Sequence, residues 1–240
     1  MPSIEGTSGP EVDRAAIIGR VTQVRERIAR ACGRAGRGGA QVDLVAVTKG
    51  RDLAQVNAAL EAGVTDLGEN TVQEAATKAG AVGPGRCRWH FVGHLQRNKV
   101  AAALRFADMV QSVDSIRLAE ELSRRAQQQG RPVECLVEVN VSGEASKFGV
   151  PPDDLVGLVE KVMSLPRLEL RGLMTVAPWG DRDMARRAFA GLRELGEDLK
   201  SRGLPARHLS MGMSDDFEVA IEEGSTMVRI GTAIFGSRTY

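Results

Sequence analysis

Val42-Asp-Leu-Val-Ala-Val-Thr-Lys49 reads as a buried strand with a polar end. Its body is short, β-branched and mostly apolar, as a strand covered by helices must be. A helix is predicted next, over 53–62, with Asp52 as its cap, Gln55 three residues on and Gly63 as its stop. The same unit recurs along the chain. Strand signals at 66–68, 88–92, 109–112, 133–141, 168–173, 207–210 and 227–230 are each followed by a helix signal. Those helices are predicted to open at Thr71, about Asn98, Ser115, Pro152, Asp183, Asp216 and Ala233. Thr71-Val-Gln-Glu74 has the form of a capping box. Strict alternation makes a parallel sheet covered by helices. Eight units predict an α/β fold of the closed (β/α)8 TIM type, typically about 250 residues long. An open doubly wound sheet is the competing arrangement.

Ahead of the first unit, 11–36 is predicted to be an extra N-terminal helix. Ile17, Val21, Val24 and Ile28 recur at spacings of three and four, and Arg25, Arg27, Arg30 and Arg34 share its other face. That arginine face is read as solvated rather than as an anion site. Residues 1–10 are polar, are expected to be flexible and lack the pattern of a secretory leader. No composition break or long linker divides the chain, so 1–240 is expected to be one domain.

Composition narrows the function. With 42% hydrophobic and 26% charged residues, the 240-residue chain is too apolar for a disordered protein. Its 32 basic and 31 acidic residues nearly cancel, which supplies no general field for nucleic acid or an anionic membrane. No apolar run approaches the roughly 18 residues of a membrane span. Cys32, Cys87 and Cys135 are far apart and odd in number. They fit neither a disulfide framework nor a zinc site, so no metal and a reducing cytoplasm are expected. Among the basic residues 6 are Lys and 26 are Arg, so a Lys in an apolar setting calls for a reason.

In a (β/α)8 barrel the chemistry sits where the strands end. Here those ends hold Thr48-Lys49, Glu69-Asn70, His94, Asn140, Met174-Thr175, Ser214-Asp-Asp216 and Arg229-Ile-Gly-Thr232. The loops after the last two strands are the usual phosphate site of this fold. Ser214 and Gly231-Thr232 stand there beside predicted helix starts, whose unpaired N–H groups favour an anion. Ser214 and Thr232 read as plain N-caps are the alternative. Asp215 and Asp216 are expected to point away from the phosphate. Lys49, partly desolvated at the mouth, could offer a neutral amine to an aldehyde, which Arg cannot do. It could equally reach solvent or pair with Glu69. A phosphate cradle and a Schiff-base Lys together suit pyridoxal 5′-phosphate (PLP) or a phosphosugar handled by an aldolase. Arg229 could face a pyridine nitrogen and weaken the ring as an electron sink, or sit in an ion pair.

Several further strings carry a family resemblance. They are Leu67-Gly-Glu-Asn70, Trp89-His-Phe-Val-Gly-His-Leu-Gln96 with Asn98-Lys99, Val137-Glu-Val-Asn140, Lys147-Phe-Gly149, Arg171-Gly-Leu-Met174, Leu209-Ser-Met-Gly-Met-Ser-Asp-Asp216 and Met227-Val-Arg-Ile-Gly-Thr-Ala-Ile-Phe-Gly236. Together with Leu44 to Lys49 they span Leu44 to Gly236 in order, and the last two are highly specific. The chain resembles the pyridoxal phosphate homeostasis proteins. That resemblance implies the alanine-racemase-like PLP barrel, with PLP held as an aldimine on Lys49. It implies phosphate contacts from Ser214, Gly231 and Thr232, and Arg229 at the pyridine nitrogen. It places Asn70 and His94 near the cofactor; Asn140 and Met174, at their strand ends, complete the expected set. Gly50-Arg51 departs from the commoner basic residue and Pro after the lysine.

The resemblance also implies a carrier of PLP in vitamin B6 balance without a defined turnover, most naturally a monomer that delivers PLP to apoenzymes. Related racemases use a second domain and a Tyr acid; here the only Tyr is Tyr240, and no such domain is expected. A slow PLP enzyme acting on amino acids is the alternative. His90 and His208 are read as strand residues with structural hydrogen bonds.

Overall fold

Alternation of strand and helix produces the expected closure. The computed structural model describes residues 14–38, 42–144 and 146–237. The strands are β1 (Asp43–Val47), β2 (Asp66–Glu69), β3 (Arg88–Phe91), β4 (Met109–Val113), β5 (Val133–Glu138), β6 (Leu168–Met174), β7 (His208–Ser210) and β8 (Met227–Ile230). All pair in parallel and in chain order, and β1 closes on β8 with Val45 opposite Arg229. The helices are α1 (Arg14–Arg34), α2 (Leu53–Glu61), α3 (Val72–Val82), α4 (Val100–Ala103), α5 (Ile116–Gln129), α6 (Leu155–Ser164), α7 (Arg182–Ser201), α8 (Phe217–Glu222) and α9 (Thr232–Phe235). No helix among the described residues is long and apolar enough to cross a membrane.

The outer ring has one substitution. The helix after β8 is only four residues long, and α1 packs beside it against α2 and α8. Ile17, Val21, Val24 and Ile28 are buried there, as their spacing predicts. Burying each such side chain contributes about 1.5–3 kcal/mol. The arginine face of α1 is not simply solvated. Arg25 donates to the carbonyls of Ala62 (2.7 Å) and Gly63 (2.6 Å). Arg27 donates to Glu218 and lies 4.5 Å over the Phe217 ring, and Arg34 donates to Glu222. These contacts clamp α1 to α2 and α8. The expectations for 1–10, for 11–13 and for Tyr240 lie outside the described residues.

Two local expectations change. The capping box of α2 forms, with Gln55 N–H on the Asp52 carboxylate and Asp52 N–H on the Gln55 amide. The one at Thr71 does not: Thr71 makes no side-chain cap bond, and the Glu74 carboxylate is engaged by Lys78 and by the Gly50 N–H. β5 stops at Glu138 instead of running to 141. Asn140 accepts there from Gly143 N–H (3.1 Å) and Ser142 Oγ (3.2 Å) and turns the chain.

Candidate functional site at the barrel mouth

Alternation along the strands decides which side chains enter the barrel. Val45, Met109, Leu136, Met174 and Met227 form a separate buried cluster, the apolar layer inside the barrel. Two residues beyond Val45 is Val47, and two beyond that is Lys49. The same step leads from Leu136 to Glu138 and Asn140, and from Met227 to Arg229 and Gly231. Parity therefore carries Lys49, Asn140, Arg229 and Gly231 of the predicted residues to the mouth. Met174 is the exception, being 1% exposed and part of the layer beneath.

Lys49 sits half-buried on the loop after β1. Its two neighbours are pinned from outside the barrel by Lys78 of α3. Lys78 is buried, and its ammonium donates to the Thr48 carbonyl, to Glu69 (2.7 Å) and to Glu74 (2.6 Å). Glu74 also accepts the Gly50 N–H, and Glu69 accepts the Thr48 hydroxyl (2.6 Å). Thr48, Lys49 and Gly50 are thus tied at both flanks by one charge cluster. Glu69, which the sequence offered as a partner for Lys49, is occupied by Lys78 and Thr48. Burial pushes the Glu69 carboxyl up, and the bonds from Lys78 and Thr48 only partly offset it.

Arg229 enters from the opposite side of the β1–β8 seam and is buried. Its terminal nitrogens donate to Ser210 Oγ (2.6 Å) and to the Thr175 carbonyl (2.8 Å). Burial pushes its pKa down to about 10, against the pull of Glu138 and Asp216. The guanidinium is still charged at neutral pH. The alternative of an ion pair is not realised as a contact: its hydrogen bonds are to neutral oxygens.

The loops after β7 and β8 are joined. Arg229 N–H donates to Gly212 O, and Ala233 N–H in the first turn of α9 donates to Ser214 Oγ (3.1 Å). Ser214 therefore caps the neighbouring loop's helix instead of its own, and stands beside Gly231 and Thr232. Gly212, at φ +99°, permits this turn; a Cβ there would lie 2.6 Å from Ala220 Cβ and 2.8 Å from Phe217 Cα. Asp215 is exposed, and Asp216 accepts the Met213 N–H (2.6 Å). Burial pushes the Asp216 carboxyl up.

On the far side, His94 stacks on Phe148 (3.9 Å between centroids, 11° between planes), and its Nδ1 is 3.3 Å from Asp114. Asn70 is packed against the next loop: a Cβ on Gly93 would lie 2.4 Å from the Asn70 carbonyl. The Asn140 amide folds its own loop, donating to Glu144 O (2.9 Å) while its oxygen accepts from Ser142 and Gly143. Glu138, not singled out in the sequence, is 7% exposed and faces Arg229 and Asp114. Burial pushes its carboxyl up to about 7. A cleft of about 1270 Å³ lies at the other end, among Thr65, Arg88, Asp108, Arg131 and Glu134 where strands begin. That face serves stability in this fold.

Among the described residues no group of three or more His, Cys, Asp or Glu could hold a metal. The mouth's donor set is instead an amine (Lys49), a buried guanidinium (Arg229), a hydroxyl (Ser214) and a glycine-bearing turn. An amine for an aldehyde, small residues for a phosphate and a cation at a ring nitrogen fit PLP.

Comparison with known proteins agrees. The family described as alanine racemase, N-terminal domain, matches residues 20–239. The pyridoxal phosphate homeostasis protein of Pseudomonas aeruginosa is 45% identical over 227 residues, covering 94% of this chain and 97% of that one. PipY of Synechococcus elongatus, solved with PLP bound, is 34% identical with a TM-score of 0.81, covering 92% of this chain and all of that one. A crystal structure of a protein from Bifidobacterium adolescentis superposes with a TM-score of 0.89 at 40% identity, covering 95% of this chain and 98% of that one. The chain thus belongs to the alanine racemase N-terminal domain family and, within it, to the pyridoxal phosphate homeostasis proteins.

Proposed function

We propose that this protein binds PLP in the barrel mouth and serves PLP homeostasis as a carrier. The observation that carries the reading is the convergence of Lys49, Arg229 and the joined Ser214 and Gly231-Thr232 loops on one end of a closed barrel. When bound, PLP supplies an aldehyde that reacts reversibly with an amine, and a phosphate that anchors it. Lys49 would hold the aldehyde end. Ser214, Gly231 and Thr232 would take the phosphate, with the short α9 and its capped first turn behind them. Arg229 would face the pyridine nitrogen as a fixed cation and keep that nitrogen unprotonated, which suits carriage better than carbanion chemistry. His94, on Asp114 and Phe148, would wall the far side. Asn70 would set the floor of that wall through its contact with Gly93. Asn140 would act through the loop it folds, and Met174 through the apolar layer beneath.

The finer reading is a monomer of the cytoplasm that passes PLP to apoenzymes. Phe148, Val176 and Trp179 expose apolar surface on the mouth-side loops after β5 and β6, which supports contact with a recipient. The test is a PLP titration of the purified chain followed by absorbance. A band at about 400–430 nm is expected, absent in Lys49→Ala. Mixing loaded protein with a PLP-free enzyme should then restore that enzyme's activity. Steady turnover of an amino acid, abolished by Lys49→Ala, would replace the carrier reading with that of a slow enzyme.

A further inference from the structure

The barrel interior holds a line of polar side chains that the mouth does not need for contact. His90 and Ser210 on β3 and β7 and Gln111 on β4 are all fully buried. They are joined end to end. Arg229 Nη1–H donates to Ser210 Oγ (2.6 Å), and the Ser210 hydroxyl donates to Gln111 Oε1 (2.7 Å). Gln111 Nε2 lies 2.9 Å from His90 Nδ1, and His90 Nε2 lies 2.8 Å from Asp66 Oδ1. The chain crosses the barrel from the mouth to the first residue of β2.

The donor and acceptor roles along it follow from its two ends. A guanidinium can only donate, so Ser210 must accept from Arg229 and give its proton onward. Gln111 then presents its oxygen to Ser210 and its NH₂ to His90. The second Gln111 N–H has an acceptor too, Met227 Sδ at 3.1 Å. His90 must accept at Nδ1, which leaves its proton on Nε2, pointed at the Asp66 carboxylate. Asp66 is held in place by the Thr65 hydroxyl (2.6 Å), and the His90 and Thr65 bonds, with Arg88 nearby, hold its carboxyl below the usual range despite burial. Every donor therefore points one way, from Arg229 to Asp66.

We propose that Ser210, Gln111 and His90 are positioning residues for Arg229: a directed hydrogen-bond relay anchored on Asp66 orients the guanidinium without setting a carboxylate against it. A carboxylate bonded directly to Arg229 would neutralise the cation where the ring nitrogen is to sit. A relay of neutral groups fixes the same side chain and leaves its charge in the mouth. Glu138 and Asp216 act on Arg229 only through space. The Thr175 carbonyl holds the second terminal nitrogen, and the Thr175 hydroxyl is itself tied to Val139 O (2.7 Å). The proposal rests on PLP as the ligand for its consequence, but the relay can be tested without it.

The experiment uses full-length ¹⁵N-labelled protein, with and without PLP, as wild type, Ser210→Ala and Ser210→Thr. In ligand-free wild type, NMR should show His90 as the Nε2–H tautomer and slow exchange of the Arg229 guanidinium protons. Ser210→Ala should speed that exchange about tenfold or more and weaken PLP binding about tenfold, the scale of losing one hydrogen bond to a charged group. It should also move the absorbance band of the bound cofactor. Ser210→Thr keeps the hydroxyl and should restore all three. Equal effects of Ala and Thr, or no change in Arg229 exchange in the Ala variant, would overturn the relay. Failure of wild-type protein to take up PLP would sink the cofactor reading alone, since the tautomer and exchange measurements would still decide the relay.

Discussion

The two cations of the mouth are held in opposite ways. Lys49 lies on a loop pinned from the outer layer by charge, where Lys78 reaches from α3 to Thr48, Glu69 and Glu74. Arg229 is held from inside the barrel by neutral partners, Ser210 and the Thr175 carbonyl. The difference suits the role proposed for each. For Lys49 the proposed role needs the backbone fixed, and the ion pairs that fix it, Lys78 with Glu69 and with Glu74, come from α3 behind the strand. Arg229 needs its side chain fixed and its charge retained, so the groups touching it are uncharged.

Breaking the charged pin should have the largest effect. Lys78→Met leaves Glu69 buried without its cation and should cost about 3–5 kcal/mol in urea unfolding. Adding Glu69→Leu should recover most of that loss, since an orphaned buried charge is the main cost. If the double variant is no better than the single, the pin is not electrostatic. Amide exchange at Lys49 and Gly50 should rise in both.

Glu138 sharpens the comparison through pH. Its carboxyl is raised from 4.5 to about 7 in the folded protein. Between those values the folded state holds the extra proton, so this group stabilises the fold at low pH and loses that contribution as pH rises through about 7. Unfolding free energy from this source should fall by roughly 2–3 kcal/mol between pH 5 and pH 8. Glu138→Gln should flatten that part of the pH profile, and an unchanged profile would mean the carboxyl is not desolvated. At the small end, Arg34→Ala removes an exposed partner of Glu222 on α1 and should cost no more than about 1 kcal/mol, less in high salt.

Much of this was legible in the sequence. The β/α alternation predicted the barrel and its order because buried parallel strands must be short and apolar. The strand ends pointed to Lys49, Ser214, Arg229 and Gly231-Thr232 because polar residues after an apolar strand mark one rim. The interior chain of His90, Gln111 and Ser210 went unread, although His90 was expected to make structural hydrogen bonds. Parity would have found it: His90 is two residues from Val92 and four from His94, and Ser210 is two from Gly212. Lys78 left only its rarity as a signal, since a lysine four residues after a glutamate on a helix normally reads as a surface pair. Its burial depends on where the loop after β1 passes, which no local pattern records.

The most direct measurement is borohydride reduction of the PLP-loaded protein followed by peptide mass mapping. The account predicts one pyridoxyl group, on Lys49, in the peptide that carries Thr48 and Gly50. A label on Lys147 or spread over the other lysines, with Lys49 unmodified, would contradict it.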